Sequence, residues 1–109
     1  MRDGVPAKLR AACPDLYPEG SPECGFSCPD AWLDVVERMS HRLQAMIAAL
    51  PEAERGAYRC DQVKAKFRGL RCYMSRATLE MVEVIDEAEI EVECIEAARP
   101  FAKFVAPEW

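Results

Sequence analysis

Apolar residues recur along this chain with two different periods. Trp32, Val35, Val36, Met39, Leu43, Met46, Ile47 and Leu50 follow helical spacing, so they predict one apolar stripe on a helix that Pro51 ends. The stretch "SCPDAW" supplies its start, with Ser27 as the cap, Pro29 in the first turn and Asp30 completing a capping-box pattern. Asp34, Glu37, Arg38, His41 and Arg42 fall on the opposite, solvated face. The period then drops to two. In "DQVKAKF" Val63, Ala65 and Phe67 alternate with Gln62, Lys64 and Lys66, and after "RG" Leu70, Cys72 and Met74 alternate with Arg71, Tyr73 and Ser75. A two-residue turn at Arg68 and Gly69 sets Phe67 against Leu70, Ala65 against Cys72 and Val63 against Met74, all on one side of a hairpin. A short helix ending at Gly69 would put Val63 and Phe67 on one face but leaves the second half unexplained. From about Arg76 a second long helix is expected, with Leu79, Val82, Ile85, Ala88, Val92 and Ile95 inward and Pro100 as its stop.

These elements predict an α+β fold in which two long amphipathic helices pack on a central β-hairpin. Prolines 6, 14, 18 and 22 with glycines 4, 20 and 25 argue for an irregular Pro-rich arm over residues 1–26, held down by Leu9, Leu16, Tyr17 and Phe26. Residues 27–99 then form the single domain. Residues 100–109 form an aromatic tail whose Phe101, Phe104, Val105 and Trp109 are expected to dock on it.

With 109 residues, 50% of them hydrophobic, the chain suits one domain with one core. No apolar run approaches the roughly 20 residues of a membrane span, and "MRDGVPAKLR" lacks the apolar stretch of an export signal. A protein of the cytoplasm is expected, without a membrane partner. The six cysteines are accordingly read as free thiols in a reducing compartment. Cys24 and Cys28 have the spacing of half a zinc site, but no second pair follows and His41 stands alone, so no metal or cofactor is expected.

Charge changes the picture more. Arg55, Arg59, Lys64, Lys66, Arg68, Arg71 and Arg76 crowd residues 55–76, whereas the helix after them carries Glu80, Glu83, Asp86, Glu87, Glu89, Glu91, Glu93 and Glu96 without a cation, in a chain of net charge −5. Two binding surfaces are therefore candidates. One is the acidic stripe Glu80, Glu83, Glu87 and Glu91, suited to steering toward a basic partner. The other is the outer hairpin face with Lys64, Lys66, Arg68, Arg71 and Tyr73, suited to phosphates and a stacked base. No glycine-rich phosphate loop, nucleophile elbow or helical histidine pair occurs, and Cys60 beside Arg59 or Cys72 beside Arg71 meets only the weakest condition for a nucleophile. No catalytic residue is named, and an enzyme is not expected.

The segments "LYPEG", "CGFSCPDAW", "QVKAKFRGLRCY" and "EVIDEAEIEVEC" resemble a family of small uncharacterised phage- and prophage-associated bacterial proteins. Its members carry a "YP.LF" pattern, "GF.CGDGW" opening a helix, "QVKEKFGGLRFY", an acidic helix and often a terminal "C..C" knuckle. This chain departs from that pattern at Arg68 in the turn, at Pro29 to Trp32 ("PDAW"), at Cys72 before Tyr73, and at Ala97, where the knuckle's second cysteine would stand. The resemblance implies a phage setting and lends no activity. Small phage proteins often inhibit host machinery, and anti-defence action of the anti-CRISPR kind is one example. The reading is thus a non-catalytic protein-binding or inhibitory module that acts on an unidentified host protein through its acidic face. Nucleic-acid binding by the basic hairpin and a zinc-stabilised accessory role are the alternatives.

Overall fold

The computed structural model describes residues 5–19, 21 and 26–98. The elements run α1 (Val5–Ala12), β1 (Phe26–Ser27), a 3-10 turn (Asp30–Trp32), α2 (Leu33–Ala48), α3 (Glu52–Arg55), β2 (Cys60–Lys66), β3 (Gly69–Met74) and α4 (Leu79–Ala97). The fold is α+β. β2 and β3 form an antiparallel hairpin, and the two residues of β1 pair parallel with the outer side of β2, giving the order β1-β2-β3. Among the described residues no helix is long and apolar enough to cross a membrane.

The N-terminal arm is not wholly irregular. Val5–Ala12 is helical because Pro6 falls in the first turn, where a missing N–H costs nothing, and Pro14 comes only after the last turn. Nor does the arm stand apart from residues 27–99: Leu9, Cys13, Leu16 and Tyr17 are buried in the same core cluster as α2, β2, β3 and α4. Gln44 of α2 fastens the loop, accepting from the Asp15 and Leu16 amides at 3.0 Å each and donating to the Asp15 carboxylate at 2.7 Å. The Cys60 amide donates to the Leu16 carbonyl at 2.8 Å. Cys24 and the aromatic tail at 100–109 lie outside the described residues.

α2 begins later than its sequence suggests. Ser27 belongs to β1, where it pairs with Lys64, so it cannot cap a helix; Pro29 precedes the 3-10 turn instead, and its carbonyl accepts from the Trp32 amide at 3.0 Å. Trp32, Leu33, Val35, Val36, Met39, Leu43 and Ile47 are buried, while Met46 and Leu50 pack at the margin.

α4 starts at Leu79 behind Thr78, whose hydroxyl accepts from the Met81 amide at 3.2 Å. Its inward face is Met81, Val84, Ile85, Ala88 and Val92, not the stripe beginning with Leu79 and Val82. Leu79 is 82% exposed. Each step of three residues falls about 60° short of a full helical turn, so the run from Leu79 through Val82 and Ile85 to Ala88 drifts halfway round the helix.

The hairpin turn also differs. Lys66 pairs with Gly69, so Phe67 and Arg68 form the turn, and Ala65 faces Leu70 while Val63 faces Cys72. Moving the turn one residue back preserves which side each strand residue faces, so Val63, Leu70 and Cys72 still point inward. Phe67 does not. It leaves the strand and stands 86% exposed. Gly69 is not one of the left-handed residues of the turn, and a Cβ there would meet only the movable end of the Arg71 side chain, at 2.8 Å.

Candidate functional site

Strand alternation places Gln62, Lys64 and Lys66 of β2 and Arg71 and Tyr73 of β3 on the face turned away from Val63, Leu70 and Cys72. Two cation–aromatic contacts order this face. The Lys64 ammonium lies 5.4 Å from the Tyr73 ring centre, and the Lys66 ammonium 5.6 Å from that of Phe67. Arg68 is exposed beside Phe67 at the tip. Arg71 is tethered further back: its guanidinium donates to the Leu70 carbonyl at 2.9 Å and lies 4.0 Å from the Glu89 carboxylate of α4.

The turn that displays Phe67 is strained. Phe67 and Arg68 have φ of 52° and 65°, the left-handed region that a two-residue type I′ turn requires at both positions. Asparagine or glycine takes this conformation readily, whereas other residues lose about 1–2 kcal/mol each. The structure thus brings Lys64, Lys66, Arg68, Arg71 and Tyr73 together on one hairpin and adds Phe67, which sequence reasoning assigned to the core. The signal for Phe67 was its adjacency to the turn. One residue of turn placement decides whether it is core or tip.

The acidic stripe of α4 is divided. Glu87 accepts from Arg42 of α2 at 2.9 Å, and Glu91 takes both guanidinium nitrogens of Arg38, one at 3.0 Å. The Arg38 hydrogen bonds hold the Glu91 carboxyl below its ordinary range. Glu80 and Glu83 lie exposed nearer the N-terminal end. Glu96 accepts from the Trp32 indole at 2.7 Å, and Glu89 is half-buried, which pushes its carboxyl up while nearby Arg71 pulls it down. Much of the negative charge therefore answers groups of the same chain.

Between α2 and α4 a groove of about 390 Å³ is lined by Val35, Met39 and Val84, with Arg38, Arg42 and Glu87 at its margin. His41 lies beside it, exposed, its Nδ1 3.9 Å from the Cys13 thiol. Burial pushes that thiol up, away from the thiolate a nucleophile needs. A second groove of about 250 Å³ is lined by Cys72, Tyr73, Met74, Ala77, Val82 and Ile85.

Cys60 and Cys72 place their sulfurs 3.4 Å apart inside the hairpin. Their hydrogen bond and burial both push the Cys60 thiol up, and burial raises Cys28 to about 11. Cys94 is exposed. Among the described residues no three or more His, Cys, Asp or Glu side chains are grouped so as to hold a metal ion. Comparison with protein-family models, curated proteins and solved structures finds no match to this chain.

Proposed function

We propose that this chain is a non-catalytic binding protein whose recognition element is the β2–β3 hairpin, displayed by two long amphipathic helices that serve as its rigid backing. The observation that carries this reading is Phe67, which is 86% exposed on a left-handed turn between Lys66 and Arg68. Strain persists where surrounding structure imposes it, and it is concentrated at sites that act on other molecules. Large exposed aromatics next to arginine are also the residues that dominate binding interfaces. The phage-associated resemblance suits such a role, with the protein acting in the host cytoplasm as a host-directed, anti-defence module.

The test compares material captured from a host lysate by the wild-type protein and by Phe67→Ala/Arg68→Gly, a pair of exposed changes that removes the ring, relieves the strain at position 68 and leaves the core intact. A component held by the wild type and lost by the variant is expected; identical captures by both would remove the hairpin from the function. The acidic stripe supports a second reading, because Glu80 and Glu83 are exposed. Charge reversal there, rather than at Glu87 and Glu91 with their ion pairs to Arg42 and Arg38, isolates its contribution.

A further inference from the structure

We propose that the hairpin tip binds single-stranded nucleic acid, with Phe67 stacking on an unpaired base and Lys64, Lys66 and Arg68 holding the flanking phosphates. This rests on the reading of the hairpin as the recognition element and names its partner. Two rings on one ribbon, each with an ammonium 5.4 to 5.6 Å from its centre, repeat the pairing that a nucleotide demands: a flat face for the base and a cation for the phosphate beside it. Phe67 is the outer ring, and Tyr73, 40% exposed, is the inner one. They lie on or beside the same ribbon, Phe67 at its turn and Tyr73 four residues beyond the strand position that closes it, roughly 14 Å at the rise of a strand. That span accommodates a few nucleotides rather than a long tract.

The aromatics favour a single strand over a duplex. In a helix the base faces are occupied by their neighbours, and a protein reads base edges with polar side chains; stacking requires bases already splayed apart. A phenylalanine exposed on a cationic ribbon can reach a base face in a duplex only by prising a base step apart, at a cost of about a few kcal/mol that an unpaired strand does not incur. The negative net charge is compatible with this site because of where the carboxylates stand. Glu89 approaches Arg71, which stands across the strands from Lys64, and Glu87 and Glu91 are engaged with Arg42 and Arg38 on the flank toward α2. Lys66, Phe67 and Arg68 lie beyond that pair, at the turn.

Binding is measured by fluorescence anisotropy of labelled oligothymidine and oligouridine of about fifteen nucleotides, a mixed-sequence duplex and heparin, at about 50 mM salt. Both single strands should bind more tightly than the duplex, their relative affinity showing whether DNA or RNA is preferred. Three phosphate contacts give a log–log salt slope near −2, so raising salt fourfold weakens binding by roughly twentyfold. Phe67→Ala should weaken binding about tenfold or more without changing that slope, as loss of a stacked base requires, while Phe67→Trp retains it. Lys66→Ala and Arg68→Ala should each make the slope shallower by about 0.7. Circular dichroism confirms that these exposed variants fold. No binding at low salt, preference for the duplex, single-strand binding indifferent to Phe67, or heparin binding weakened equally by Phe67→Ala would each overturn the proposal. If it fails while a host protein is still captured through the hairpin, the hairpin remains the recognition element and its partner is a protein.

Discussion

Ser40 and Tyr17 show how one polar residue is tolerated on an apolar stripe. Ser40 lies fully buried on α2, and its hydroxyl is 2.6 Å from that of Tyr17, itself buried at the end of the arm. Burial also pushes the Tyr17 phenol well above its ordinary value, so it stays neutral and available for this bond. Removing one partner strands the other without water. Ser40→Ala should therefore cost about 1–3 kcal/mol, while adding Tyr17→Phe to it should recover much of the loss. Urea denaturation of both single variants and the double variant measures the coupling, and simple additivity would show that the two hydroxyls act independently. In the sequence Ser40 falls four residues after Val36 and three before Leu43, on the apolar stripe, but nothing in the chain named Tyr17 as its partner. Long-range pairing of this kind follows from the fold rather than from periodicity.

At the scale of elements, periodicity found the hairpin and helices on either side of it, misplaced their edges, and missed the helix Val5–Ala12. The α2 stripe was legible because its steps mix three and four, which keeps the apolar residues on one face. The α4 stripe was read through three successive steps of three before its first step of four and so drifted, which is why Leu79 and Val82 face water while Met81 and Val84 face the core. Glycine in "RG" drew the turn one residue too far, whereas the chain accepts left-handed Phe67 and Arg68 and leaves Gly69 in the strand. The cationic half of the candidate site was therefore readable from alternation, and its exposed ring was not.

The α2–α4 contact carries its own pH dependence. Arg38 lowers Glu91, so its contribution is present above the ordinary carboxyl value of 4.5 and is lost as pH falls through the lower folded value. Glu89, raised chiefly by burial, has the opposite sign: folding is penalised as pH rises past 4.5 and the buried carboxyl must ionise. Glu91→Gln should lower stability slightly at neutral pH, less so in high salt, and match the wild type in acid. Glu89→Gln should gain on the wild type as pH rises through the same range. Thermal denaturation from pH 3 to 7 checks both, and curves that run parallel to the wild type would sever these carboxyls from the stability of the fold.

Across the whole molecule the N-terminal arm packs through the large side chains that the sequence singled out, Leu9, Leu16 and Tyr17, and departs from the irregular reading in the helix Val5–Ala12. Leu16 is as fully buried as Leu43 of α2, its carbonyl receives the Cys60 amide at the start of the hairpin, and its own amide is held by Gln44. The turn over residues 13–17 thus ties α2 to β2. If this is one cooperative unit, Leu16→Ala and Leu43→Ala should each cost about 2–5 kcal/mol, because each opens a cavity in the same interior. Both variants should then unfold in a single transition at reduced denaturant concentration, with far-ultraviolet circular dichroism and tryptophan fluorescence coincident. A Leu16→Ala protein that keeps the wild-type midpoint, or shows an early separate step, would instead make the arm an appendage to a domain that folds without it.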